Sequence, residues 1–285
     1  MQWVERCFGS LRSSTLVPDV FVVDNGSTDG TQAYIQSHFS EVMFHQSEKN
    51  LGFGQANNMG LQYALDYDYD YVYLLNQDAW VMPDTFERLI EISQRHPEYG
   101  ILSPFQMNAD LQHIDSNFAE ATCAWKSNMQ LLNDLYNHEL RYIYSVDGVM
   151  AAHWFITQKC IKKVGGFSPS FAHYGEDDNY IDRVKYRGIK IGVVPSLRVV
   201  HDRGWRKNSN EKKMYINYTS SIRFLSNPSS NTLKSIIVVL YLTIKDAISF
   251  FSLKPLQYLI KIMLSLNTIL KNKIISKKKE CAFLT

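Results

Sequence analysis

The chain has 285 residues, enough for a full-sized core with one principal domain and an appendage. Apolar residues make up 45% and aromatics 13%, a composition that excludes wholesale disorder. The formal charge of +2 conceals an asymmetry: residues 232–285 carry nine lysines against Asp246 and Glu280, which leaves the first 231 residues at −5. An acidic body with a basic tail argues against nucleic acid as a partner, since such binding needs its basic face on the folded domain. Four cysteines without a CxxC spacing give neither a zinc knuckle nor a disulfide framework, and fit a reducing compartment. The opening MQWVERCFGSLRSS lacks the charged-then-apolar layout of a secretory signal.

In chain order, Val20-Phe21-Val22-Val23 reads as a strand ending at Asp24, followed by the turn Asn25 to Gly30 and a helix from Thr31 to His38. A second strand is predicted near Val42 to Phe44, then a loop over Asn50 to Gly54 and a helix from Gln55 to Leu65. A third strand, Tyr71 to Leu75, stops at Asn76-Gln77-Asp78, and Pro83 opens a helix to about Arg95. This alternation predicts a Rossmann-like α/β fold, its mostly parallel sheet flanked by helices. Ligands bind such sheets at the carboxyl ends of the strands, so Asp24 and Asp78 belong to one functional edge.

Residues 107–145 read as an irregular extension with some β structure, and Val146 to Trp205 as a second motif region. The expected division is a domain over 1–231, in halves of about 1–106 and 107–231, followed by a helical tail over 232–285. In that tail Ile236 to Ile244 and Ala247 to Leu253 are split by Lys245-Asp246, and neither approaches the roughly 20 residues of a membrane span.

Three stations carry chemistry. Asp24 can accept hydrogen bonds from a base or ribose, or can serve its own turn and cap the next helix. Asp78 offers oxygen to a hard divalent cation, or is a loop aspartate before a helix. The acids Glu176, Asp177 and Asp178 repel one another; a metal, a catalytic base or the dipole of a helix start would explain them. His201, after the strand-like Leu197 to Val200, is either a metal ligand or a structural histidine.

Together these residues resemble the family 2 glycosyltransferases of the GT-A fold. VVDNGSTDGT is similar to that family's nucleotide-binding strand and turn, KNLGFGQANNMG to its donor-side loop, NQD to a degenerate form of its acidic triplet, and GGFSPSFAHYGEDDNYIDRVKYRG to its acceptor-side segment. The resemblance runs over about residues 3–205. It implies an inverting enzyme that moves a sugar from a nucleoside diphosphate donor to an acceptor hydroxyl, with Mn²⁺ or Mg²⁺ as cofactor. Asp177 is the implied general base; Asp78 and His201 are the metal ligands. Asp24, Asn25, Gly52, Phe53, Asn57 and Gln77 are assigned to the donor, and Gly148, Trp154, Glu176 and Asp178 to the sugar and acceptor pocket. The implied acceptor is a saccharide or lipid-linked saccharide in surface-polysaccharide synthesis. The implied location is cytoplasmic, or peripheral on the inner face of the plasma membrane.

Two departures stand out. Asn76 replaces an acidic residue of the triplet, and the family's first strand is missing ahead of Gln2 to Cys7, from which Met1 is expected to be internal to a longer protein. The tail is either a surface anchor for anionic lipid or a packed helical pair with a solvated lysine end. A nucleotidyltransferase would need basic residues around Asn25 to Gly30, where there are none. A catalytically impaired sugar-nucleotide binder or scaffold is the remaining alternative.

Overall fold

The structure is a computed structural model that describes residues 2–123, 129–204 and 209–284. Met1 and Trp205, which figure in the expectations above, lie outside the described residues. The elements in order are α1 (Val4–Arg12), β1 (Phe21–Asp24), α2 (Thr31–His38), β2 (Met43–Gln46), α3 (Gly52–Asp66), β3 (Tyr71–Leu75), β4 (Ala79–Trp80), α4 (Thr85–Arg95) and β5 (Tyr99–Met107). They continue with α5 (Ser116–Cys123), α6 (Met129–Asn137), β6 (Tyr144–Ser145), β7 (His153–Thr157), α7 (Gln158–Val164), α8 (Glu176–Tyr186), β8 (Lys190–His201), α9 (Asn210–Ser226), α10 (Thr232–Ser249) and α11 (Lys254–Lys278).

The α/β layering is as the sequence predicts, with helices packed on the central sheet. The pairing departs from the expected mostly parallel sheet: among the described residues two strand pairings are parallel and four antiparallel. β1–β2 and β5–β8 are parallel, but β7 lies antiparallel between β3 and β5, and β4 and β6 are antiparallel to β8. The larger sheet is therefore mixed, in the order β3-β7-β5-β8-β4 with β6 also on β8, while β1 and β2 form a separate pair. The chain leaves β5 through α5 and α6 and comes back into the sheet at the end where β5 finishes, so β7 runs antiparallel to β5. That excursion carries α5 and α6 besides the expected β structure, which is the Met107–Ile114 bridge and β6; the Asp115 carboxylate accepts the Phe118 N–H at 2.7 Å and starts α5.

β5 is buried at every position, as a strand covered on both faces must be. The main core gathers Ile101, Phe118, Trp154, Phe167 and Tyr180 around it. At the carboxyl end the chain re-enters this core: Cys281 N–H donates to Lys162 O, Ala282 O accepts from Gly166 N–H, and Leu284 is buried. Arg183, fully buried, donates to the carbonyls of Val164 and Gly166 at the end of α7 and lies 5.2 Å from the Phe283 ring. Cations suit that end of a helix, where carbonyls lack partners.

α10 and α11 form an antiparallel pair packed on α9 through Ile222, Leu225, Val239, Ile262 and Ile269. α10 is continuous across Lys245-Asp246, and among the described residues no helix is long and apolar enough to cross a membrane.

A Cβ at Gly165, where φ is +87°, would fall 2.0 Å from Ala282 O, whereas at Gly188, φ +69°, it would meet nothing within 4 Å. Gly188→Ala should therefore cost only the left-handed backbone penalty of about 1 kcal/mol. Gly165→Ala should cost that plus the displacement of residues 281–284, about 2 kcal/mol more. Urea unfolding of the two variants measures the difference; equal losses would show that the re-entrant segment adds nothing to stability.

Candidate active site

The strand ends converge as the sequence predicts. Asp24, Asn25, Gly52, Phe53, Asn57, Gln77 and Asp78 all line one cavity of about 1080 Å³ at the carboxyl ends of β1 and β3. Asn25 ties the two donor-side segments together, with Oδ1 accepting from Leu51 N–H at 3.1 Å and Nδ2 donating to Gly52 O at 3.4 Å. Asp24 is 7% exposed, and its Oδ2 accepts the Ser27 N–H at 3.0 Å, so it does serve its own turn. Gly52 is required where it stands: φ is +76°, and a Cβ would come 2.3 Å from Ala172 O. That approach locks the donor-side loop against the segment leading to α8, and His173 from that segment joins the cavity wall. Asn57 donates to Phe53 O within α3, and Phe53 meets Phe167 edge-on at 5.5 Å.

The acids at the head of α8 occupy its first turn, after Gly175 in the left-handed conformation. Arg223 engages Asp182 through two hydrogen bonds and reaches Asp178 at 3.0 Å. Glu176 is 5% exposed, and among the described residues its Oε2 has no hydrogen-bond partner. Burial, reinforced by the charges of Asp177 and Asp178, raises its carboxyl to about 7. Asp177 is half-buried; desolvation raises its pKa, against backbone hydrogen bonding that includes the Asp178 N–H at 2.9 Å. Desolvation and the neighbouring Asp177 likewise push Asp178 up, to about 6.

Asp78 and His201 meet through the antiparallel pairing of Ala79 with His201. His201 is 1% exposed, with Nε2 3.5 Å from Asp78 Oδ1 and Nδ1 3.6 Å from Asp115 Oδ2. Both separations exceed a good hydrogen bond, and neither ring nitrogen has a hydrogen-bond partner among the described residues. Burial works to raise the Asp78 pKa, but His201 outweighs it and the net shift is downward. Nearby His153 differs. Its Nε2 lies 2.9 Å from Val200 O, a pure acceptor, so that nitrogen carries the proton and Nδ1 accepts from Tyr73 OH at 2.8 Å. Desolvation holds His153 neutral, with a pKa lowered to about 3. One buried histidine is thus satisfied and the other is not.

Two expectations for the sugar pocket need correction. Trp154 has no exposed surface; it stacks on Phe167 and donates to Val149 O at 3.2 Å, so it is a core residue and lines no pocket. Gly148 lies outside the cavity wall, and a Cβ there would meet Ala121 O at 3.7 Å, an ordinary contact that does not demand glycine. Glu176, Asp177, Asp178 and His201 also stand outside the cavity lining. The sequence reading missed Asp115 and Arg223. The Asp115-Ser116 pair ahead of a helical run was a usable start signal for the first; nothing local marks the second.

The architecture is that of the GT-A glycosyltransferases. A crystal structure of GalNAc-T7 with UDP, GalNAc and Mn²⁺ matches 79% of this chain and 48% of its own, at TM-score 0.54 and 16% identity. TarS of S. aureus with UDP-GlcNAc matches 95% of this chain and 76% of its own, at TM-score 0.52 and 16% identity. At these identities the likeness speaks for the fold, and the chain spans about half of the GalNAc-T7 chain.

The sequence gives the family. Residues 2–142 match the sequence profile described as Glycosyl transferase family 2, and the chain belongs to that family. Among curated relatives it is 26% identical to the low-salt glycan biosynthesis hexosyltransferase Agl10 of Haloferax volcanii over 82% of this chain and 74% of the relative. It is also 26% identical to the N-acetylglucosaminyl-diphospho-decaprenol L-rhamnosyltransferase of Mycobacterium tuberculosis, over 70% of this chain and 71% of the relative. It is a glycosyltransferase.

The raised Glu176 carboxyl sets a sign for stability against pH. Between 4.5, its ordinary value, and about 7, the folded chain holds a proton that the unfolded chain has released. Stability therefore falls as pH rises through that window, by on the order of 3 kcal/mol in all. Glu176→Gln should remove this loss, so its melting temperature should draw ahead of the wild type's as pH goes from about 5 to about 8. A constant gap would refute the assignment.

Proposed function

We propose that this glycosyltransferase is inverting and transfers a sugar from a nucleoside diphosphate donor to a hydroxyl of a saccharide acceptor in surface-glycan synthesis. The observation that carries this reading is the convergence of Asp24, Asn25, Gly52, Gln77 and Asp78 on one cavity with His173 in its wall, four residues ahead of Asp177 in the first turn of α8. The donor's base and ribose lie against Asp24 and Asn25, and its diphosphate toward Asp78. Asp177, with its pKa raised by burial, takes the proton of the acceptor hydroxyl as that oxygen attacks the anomeric carbon. The bond from the anomeric carbon to the diphosphate oxygen breaks, and the nucleoside diphosphate leaves.

Among the described residues, no three histidine, cysteine or acidic side chains gather closely enough to hold a metal ion. Asp78 and His201 nevertheless fit a hard cation that shares its remaining positions with phosphate and water, since His201 is buried with both nitrogens unsatisfied. Bound there, Mn²⁺ or Mg²⁺ would offset charge on the diphosphate.

Asp177→Asn should lower turnover by a hundredfold or more while leaving donor affinity within about twofold. Asp78→Asn should weaken donor binding in the presence of Mn²⁺. A thermal-shift panel with UDP, dTDP, GDP and CDP, with and without Mn²⁺, followed by transfer assays, reads both. Full turnover in Asp177→Asn would remove the base from the mechanism.

The same reading places the protein peripherally on an anionic membrane. It is supported by a solvent-facing apolar stripe on α10, formed by Leu233, Ile237, Leu240, Tyr241, Ile244 and Ile248, with Phe251 96% exposed at the turn into α11. The exposed Lys234, Lys245 and Lys261 stand nearby to meet acidic headgroups. Because Ile262, Ile269 and Leu284 belong to cores, deleting 232–285 would damage the fold. The cleaner test is Ile237→Asp with Phe251→Asp, which should abolish pelleting with phosphatidylglycerol-containing vesicles at unchanged melting temperature. Unchanged pelleting would overturn the membrane reading.

A further inference from the structure

Asp115 stands 2% exposed at the end of the hydrophobic core, where an ionised carboxylate is costly unless something nearby needs its charge. Capping α5 does not need it. The Phe118 N–H that Oδ1 accepts would be served as well by serine or asparagine, neither of which brings a charge. Its backbone N–H is used separately, on Gln106 O at 3.0 Å, which fixes the residue beside the last turns of β5. The remaining oxygen, Oδ2, lies 3.6 Å from His201 Nδ1, on the side of the ring opposite Asp78.

From this arrangement we infer that Asp115 is a positioning residue for His201: it holds the proton on Nδ1, so that Nε2 presents its lone pair beside Asp78. A carboxylate behind a ligating imidazole fixes its tautomer and ring orientation and raises its basicity. His153 serves as an internal contrast. Its tautomer is set by Val200 O and Tyr73 OH, so both its nitrogens are occupied and neither is offered to an ion. His201 has a carboxylate on either side, and among the described residues neither of its ring nitrogens has a hydrogen-bond partner. The inference rests on the reading that Asp78 and His201 together hold a divalent cation.

The test is direct titration of the intact chain with Mn²⁺ alone, following the free-ion signal by electron paramagnetic resonance. Asp115→Ser retains an oxygen for the Phe118 N–H. It should keep a wild-type melting temperature while binding Mn²⁺ 10- to 100-fold more weakly. Asp115→Asn should lose at least as much, because with its oxygen on the cap its amide N–H₂ faces Nδ1 and favours the opposite tautomer. This near-isosteric variant also guards against misfolding of the serine one. In a His201→Ala background, Asp115→Ser should add nothing. Wild-type Mn²⁺ affinity in both Asp115 variants, or an equal loss with and without His201, would overturn the positioning role while leaving the cation site standing. Unaltered Mn²⁺ affinity in His201→Ala, or no binding by the wild type, would remove the cation site and this inference with it.

Discussion

The parallel pairing of β5 with β8 is the constraint on which the molecule is assembled. The two strands pair from Tyr99 with Lys190 to Met107 with Val200, and β5 is buried throughout. The ladder shifts register between Tyr99 and Ile101 and again between Pro104 and Phe105, and the register after the second shift fixes what stands at its end. His201 is the last residue of β8; Ala79 pairs with it and carries Asp78; Asp115 is anchored to Gln106 in the last turns of β5. Three polar side chains far apart in sequence thus share one corner because one buried ladder ends there.

Electrostatics separates the two acidic regions of the site. At the head of α8, four carboxylates within seven residues are managed by one guanidinium. Arg223 pairs with Asp182 and reaches Asp178, yet Glu176, Asp177 and Asp178 all keep raised pKa values. Around His201 the carboxylates flank an imidazole and Asp78 is held ionised. One acidic region therefore has carboxyls with raised pKa values, and the other has a carboxylate, Asp78, whose pKa is lowered.

Much of this was legible in the residues. The strand preceding Asp24, the strand preceding Asp78 and the acids at a helix start were all visible because short β-branched runs, turn residues and charge at a helix start are local signals. What escaped was set by distant partners. The antiparallel insertion of β7 depends on which end of the sheet α5 and α6 leave the chain, and no local pattern encodes that. Trp154 reads as a pocket residue in sequence, yet its ring is covered by Phe167 and Tyr180 from segments beyond it. Asp115 looked like one more aspartate in an irregular stretch, since its meaning comes from a histidine 86 positions later.

The segment at 281–284 has a consequence for how the protein is made. Its seat on Gly165 and Gly166 is formed by residues synthesised more than a hundred positions earlier. At ordinary translation rates that seat waits on the order of ten seconds for its occupant. During this interval the apolar surface around Val164 and Phe167 has no cover from Ala282 and Leu284 and stays open to water. A ribosome stalled within α11 would hold a polypeptide with every residue of the cavity wall but with that flank of its core unsealed.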